Sequence, residues 1–333
     1  MQAKKFLLLL VGFFPFALSS SCNFNSADYI QLIDKPSSIQ LIEIVVPKSA
    51  KFNRNFAKII VSDSANISPE LKKKFKAVIT VRYKFGSCSY EGTVKQNGDW
   101  KDHVALSYSG EPLRSLNIQL LSGNILNAVK FKLLLPETRA NLNEVLGALV
   151  LRKLDFISPE TFQVQTNING VDSLMLFQED ARKELLERNK RREGPLFEGD
   201  ESLLWSYEKF GNHILANQVL SRVTNTNWFL KGKNSEAITL ASYERLQSAF
   251  LQSAVTYEKG GSIITKPNQQ SDKVFEDFFF IMSAMNGAHG LTMANRKFYF
   301  NSFSDSFEPI YYDGDLNFLR TSNLDEMILR NAF

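Results

Sequence analysis

TFQVQTNINGVDSLMLFQE, residues 161–179, is the stretch on which the fold turns. Phe162, Val164, Thr166 and Ile168 alternate with polar neighbours, the period of a half-buried strand. Asn169-Gly170 then supplies the residue pair that a tight two-residue hairpin favours, because both positions must take a positive φ. Leu174 to Phe177 form the return strand, which ends at Gln178-Glu179. Upstream the pattern stays β. Leu41 to Val46 and Phe56 to Val61 are rich in strand formers, and Ala77, Ile79, Val81, Tyr83 and Phe85 alternate strictly. Val129, Phe131 and Leu133 alternate with Lys130 and Lys132, which places both lysines on one strand face. Pro136 ends that strand, and Asn141 caps a helix to about Leu154 with Leu142, Val145, Leu146 and Leu149 on its apolar side.

Downstream the period changes. A charged helix is expected over Asp180 to Asn189, and further helices over Asn212 to Val223 and Ser235 to Val255. Ser271 caps another, carrying Phe275, Phe278, Ile281 and Met282 and stopped by Gly287. Strands Lys297 to Phe300 and Phe307 to Tyr312 follow, joined by a turn at Asn301 to Ser306. The expected layout is an α+β chain with a β-rich lobe over residues 22–178 and a mainly helical lobe over residues 179–333.

At 333 residues with 44% hydrophobic and 22% charged side chains, the chain is globular rather than disordered or low-complexity. Lys4 and Lys5, the apolar run Phe6 to Leu18 and the serines before Cys22 read as a signal peptide over residues 1–21. That run is too short to cross a bilayer, and an exported protein is expected, whether secreted, periplasmic or in the cell envelope. Cys22 directly after the small residues is a candidate lipid acceptor that would attach the chain to a membrane. The alternative is a bridge to Cys88, the only other cysteine. Without Lys4 and Lys5 the net charge of +4 falls to about +2, which argues against nucleic acid as a partner. His103, His213 and His289 are too far apart in sequence to show metal-ligand spacing.

The chemistry concentrates between His289 and Asp315. A helix runs into a loop with His289 and Asn295, then a hairpin, then Asp313-Gly314-Asp315. In extended backbone, Asp313 and Asp315 project to the same face. Two such carboxylates, with Asn295 as a further oxygen donor, suit Mg²⁺ shared with phosphate oxygens. An ordinary turn would use the same residues. The order along the chain adds to this: Lys130 and Lys132 on a strand, Glu144 on the next helix, Asn295 ending a loop and Asp313 past a hairpin, which is the order of parts in protein-kinase sites.

With these pieces in sequence, residues 82–318 resemble the spore coat protein H (CotH) kinases, a family of secreted atypical kinases. The resemblance rests on Lys130-Phe131-Lys132 through Pro136, the hairpin at residues 161–180, Gly194 to Gly199, Asn295 to Tyr299 and Pro309 to Asp315. It implies a distant protein-kinase-like bilobal fold that uses ATP with Mg²⁺ or Mn²⁺ to phosphorylate Ser or Thr of secreted or envelope proteins. It also implies Lys132, with Lys130, Glu144 and Glu179, for nucleotide binding. Asp313, Asn295 and His289 would form the catalytic region, and Asp313, Asp315 and Asn295 the metal ligands. No Asp stands in the loop between His289 and Asn295, and the chain stops 18 residues after Asp315, so a C-terminal portion of the lobe is expected to be missing. The alternatives are a non-catalytic, pseudokinase-like binding or coat protein and, third, a metal-dependent glycosyltransferase.

Overall fold

The computed structural model describes residues 21–24, 29–199, 221–258, 267–268 and 273–319. Its first half is a closed barrel. Seven strands form the ring: β2 (Ile39–Val45), β3 (Phe75–Tyr83), β4 (Gly86–Gln96), β7 (Leu116–Leu120), β8 (Lys130–Leu134), β9 (Thr161–Ile168) and β10 (Val171–Glu179), while a short helix α1 (Tyr29–Leu32) precedes it and β5 (Val104–Leu106) and β6 (Pro112–Arg114) form a separate two-stranded sheet. They pair in the order β4-β3-β2-β9-β10-β8-β7, and β7 pairs back onto β4. Closure depends on the length of β4. Its first residues pair with a short strand, β1 (Ser21–Phe24), and its last five with β7. All ring pairings are antiparallel except β2 with β9. Side chains of alternating parity fill the interior, among them Ile44, Ile79, Ile118, Phe131 and Phe177, all fully buried.

The hairpin at residues 161–179 forms as its sequence dictates, with Asn169 at φ 50° and Gly170 at φ 91° between β9 and β10. Two local expectations are corrected. Residues 56–61 are not strand but lie in α2 (Ser49–Val61), where Phe52, Phe56 and Ile59 turn to one buried side. Their spacing of four and three is helical, and it outweighs the β-branched composition. In α3 (Leu142–Lys153) the expected apolar side is inverted: Leu142, Leu146 and Leu149 are exposed, while Glu144, Gly147, Ala148 and Leu151 face inward.

The expected kinase-like bilobal fold with a helical C-terminal lobe is overturned. The β half closes into a barrel, and the second half is organised by a four-stranded antiparallel sheet. That sheet runs β12 (Ser221–Val223), β11 (Leu196–Gly199), β13 (Lys297–Asn301), β14 (Ser306–Ile310). Phe197, Phe298, Phe300 and Phe307 make its core with Leu246 and Phe250 of a long helix, Lys233–Glu258. A second helix, Lys273–Ala284, packs Phe278, Phe279 and Met282 on Ala148 and Leu151 of α3. Short helices at Lys183–Arg188 and Thr226–Phe229 complete this half. Of the expected helix Asn212 to Val223, residues 212–220 lie outside the described residues, and the last three are strand β12. Among the described residues no helix is long and apolar enough to cross a membrane. Cys22 and Cys88 are disulfide-bonded across the β1–β4 pairing, so the Cys22 sulfur is not free to carry a lipid.

Candidate functional site

The site lies outside the barrel wall, where β8 and β10 meet the second half. Phe131 and Leu133 point into the barrel, so Lys130 and Lys132 point out. On β10, Gln178 pairs with Lys132, and the following Asp180 donates its amide to the Lys130 carbonyl at 3.1 Å. Asp180 therefore shares the outer face with both lysines. Its carboxylate lies 2.6 Å from Lys130 Nζ and 3.9 Å from Lys132 Nζ. Burial pushes the Asp180 carboxyl up, but the two ammonium groups outweigh it and hold it below the usual carboxylate range.

A second wall comes from the turn after β8. Pro136–Arg139 form a 3₁₀ turn, and Ala140 and Asn141 take positive φ to start α3 without a side-chain cap from Asn141. The turn delivers Arg139, buried, to Asp313, with Nη2 at 3.1 Å from Oδ2. Asp313 is also buried. Burial raises its carboxyl, and Arg139 and His289 more than reverse this. His289, in the turn Ala288–Leu291, places Nε2 3.7 Å from the same oxygen, and Asn295 Nδ2 lies 3.0 Å from that His289 nitrogen. Gly290 makes the approach fit: a Cβ there would lie 2.9 Å from the Tyr312 carbonyl oxygen.

Tyr312 is the centre of the cluster. Lys132 Nζ lies 3.3 Å from its hydroxyl and 4.4 Å from its ring centroid, Lys297 of β13 reaches 4.2 Å from the ring, and Arg139 lies at 5.8 Å. Lys297 is also ion-paired with Glu198 of β11. Beneath this layer Glu144 is fully buried. Its carboxylate accepts from Gln178 Nε2 at 2.7 Å and from the Tyr311 hydroxyl at 2.5 Å, joining α3, β10 and the segment after β14. Burial, opposed by the Tyr311 bond and Arg139, pushes its pKa up to about 7. Two polar atoms in the cluster, Arg139 Nε and Gln178 Oε1, are buried without a hydrogen-bond partner among the described residues.

Lys130, Lys132, Glu144, Asn295, His289 and Asp313 are thus gathered from distant parts of the chain. Glu144 does not pair with a lysine, and Glu179 is elsewhere. One residue before Asp180, Glu179 points to the other face of β10, where it binds Arg188 Nε at 2.8 Å and the Glu160 amide at 3.2 Å. Asp313 and Asp315 do not act as a pair. Both have left-handed φ (49° and 47°), not extended backbone, and Asp315 is exposed while Asp313 is buried. Mg²⁺ needs one or two protein carboxylates besides phosphate oxygens. Here the buried carboxylate is held by a guanidinium, and no group of three His, Cys, Asp or Glu gathers to hold a metal among the described residues. These residues do not build a metal site.

Sequence reasoning missed Asp180, Arg139, Tyr312 and Lys297. Strand parity identifies Asp180, which continues the Gln178 face opposite the lysines, but no local pattern marks the other three. No family model matches the chain, and no curated protein matches it.

Proposed function

We propose that the chain is an exported phosphotransferase that binds ATP phosphates at Lys132, Lys130 and Arg139 and transfers the γ-phosphoryl group to a Ser or Thr hydroxyl of a secreted or envelope protein. The observation that carries this is the convergence of Lys132, Arg139 and Lys297 on Tyr312 beside Asp313, a buried site with more cations than anions. Phosphoryl transfer asks chiefly for positioning and charge neutralisation, which such a cluster supplies. The substrate hydroxyl oxygen attacks the γ-phosphorus, the bond to the bridging oxygen of ADP breaks, and the hydroxyl proton passes to the Asp313 carboxylate, which Arg139 keeps ionised. Asn295 acts on Asp313 through His289. The Cys22–Cys88 bridge supports export, because structural disulfides persist in oxidising compartments.

A second reading, an exported binding protein without turnover, is favoured by one observation: the Asp313–Arg139 pair is closed on itself. Calorimetric titration with ATP, followed by transfer of label from γ-labelled ATP to dephosphorylated casein beside an Asp313→Asn control, separates the readings. The first expects ATP binding, label transfer, and no transfer by Asp313→Asn. Lys132→Met and Arg139→Lys should each bind ATP about tenfold more weakly, or roughly 1.4 kcal/mol. Binding without transfer selects the second reading, and absence of ATP binding removes the first.

A further inference from the structure

The outer barrel wall beyond the site carries positive charge that the fold does not use. Strand register sets it out in two rows. Lys76 of β3 lies opposite Thr93 of β4, Thr93 opposite Gln119 of β7, and Gln119 opposite Lys130 of β8. In the adjacent row Lys95 of β4 lies opposite Asn117 of β7, and Asn117 opposite Lys132. Inward residues of the same strands, such as Val94, Ile118 and Phe131, are core, so these polar residues all face outward, and the one carboxylate beside them on β4 is Glu91, two residues before Thr93 and outside both rows. Strands about 4.8 Å apart separate Lys95 from Lys132 by roughly 10 Å and Lys76 from Lys130 by roughly 14 Å. Lys74 enters the same face from the start of β3. Lys95 is only partly exposed and has no ion-pair partner among the described residues. Its pKa is lowered by burial and then by Lys130, Lys74 and Lys72, a strain that a bound anion would relieve.

We infer that the outward face of β3, β4, β7 and β8 is a docking track for an acidic polypeptide segment, which it leads to Lys130 and Lys132. The inference names the partner class for the proposed phosphotransfer, and only the direction in which the track leads rests on that reading. Carboxylates three or four residues apart in an extended chain, at about 3.4 Å per residue, match the separations between lysines. Thr93, Asn117 and Gln119 stand between them with hydroxyl and amide groups suited to a peptide main chain. Between Lys76 and Lys132 the rows hold no aromatic side chain, and Tyr312 meets them only at their end, whereas single-stranded nucleic acid is held by successive stacking platforms as well as charge.

The test uses the full chain without ATP and a fluorescent peptide of repeating Glu and Ser, read by anisotropy. Beside it run the same peptide with Gln for Glu, a single-stranded oligonucleotide, and vesicles containing phosphatidylserine. The acidic peptide should bind, weaken steeply with salt, and bind at least tenfold more weakly to Lys76→Glu/Lys95→Glu. That variant should keep its thermal melt and its ATP affinity. Lys74→Glu/Lys76→Glu, both at exposed positions, should show the same direction of change if the first variant folds poorly. Equal binding of the Glu and Gln peptides, no binding of either, tighter binding of the oligonucleotide or the vesicles, or unchanged affinity in folded variants would overturn the track. Peptide binding in a protein that fails to bind ATP would leave the track standing and remove the phosphotransfer reading.

Discussion

Two charge networks flank the end of β10, one on each of its faces, and they are built on opposite plans. On the Glu179 face, Glu179 and Glu160 are matched by Arg188 and Arg152. Arg152 grips Glu160 with two bonds of 2.7 and 3.2 Å, and Arg188 binds Glu179 at 2.8 Å. Two anions meet two cations, and the one buried atom left over there is an acceptor, Glu179 Oε1, among the described residues. On the Asp180 face, Lys130, Lys132, Arg139 and Lys297 outnumber Asp180, Asp313 and Glu198, and Arg139 Nε has no partner among the described residues. A balanced buried network mainly fixes structure. One with surplus charge stays poised for a counter-charge from outside.

The largest expected effect breaks the balanced side. Arg188→Met leaves Glu179 buried and unpaired and should cost about 3–5 kcal/mol in urea denaturation, with no rescue by phosphate compounds. A smaller effect distinguishes the other side. Asp180→Asn removes the carboxylate between Lys130 and Lys132 and should cost about 1–3 kcal/mol. Here millimolar tripolyphosphate should restore the melting temperature, since a ligand at 100 times its dissociation constant stabilises by about 2.7 kcal/mol. Rescue of both variants, or of neither, would erase the contrast.

The smallest effect concerns Glu144, buried beneath the site. Its pKa is raised in the folded chain to about 7, so the folded state binds the proton more tightly than the unfolded state does. The penalty is present in full above pH 7 and is relieved as pH falls from 7 toward the ordinary carboxyl value. Glu144→Gln removes the charge; its amide oxygen can still accept from Gln178, while its NH2 must donate to a Tyr311 hydroxyl turned to accept. Linkage alone is worth roughly 3 kcal/mol at pH 8 and the reversed Tyr311 bond offsets part of it, so the variant should be more stable than the parent by about 1–2 kcal/mol there, with the difference lost toward pH 5. Greater stability of the parent at pH 8 would show that Glu144 is held as a charge by Arg139.

Strand elements were legible in the sequence wherever one face is buried. Residues 161–168 and 75–83 alternate because the barrel interior enforces a period of two, whereas the last five residues of 171–179 are all buried and that strand is marked by the Asn169-Gly170 turn before it. Closure was not legible, since it depends on pairing β4 with β7, and nothing local in either strand records the partner. Glu179 and Asp180 differ by one residue, which in a strand means opposite faces, and it is Asp180 that meets the lysines. The leucines of α3 misled for a related reason. Periodicity marks an apolar stripe but not which side meets the core, and here Gly147 sets the side: a Cβ there would lie 1.9 Å from Leu316 Cδ1. Asp313-Gly314-Asp315 looks extended in sequence, whereas Asp tolerates the left-handed region well enough for the backbone to coil there and separate the two carboxylates.

The seam between β1 and β4 has a consequence for how copies of this protein meet. β4 has two neighbours along that edge, β1 over Gly86 to Ser89 and β7 over Gly92 to Gln96, and among the described residues no other strand covers the first stretch on that edge. The disulfide fastens β1 there, and the fit is close enough that a Cβ at Gly86 would lie 2.1 Å from the Asn23 carbonyl oxygen. A reductant that let β1 peel away would uncover a run of unpaired main-chain donors and acceptors on an otherwise closed wall. Such an edge recruits strands from other molecules. The bridge therefore guards solubility: in reducing conditions the protein would fail first by self-association through β4, before the barrel itself had melted.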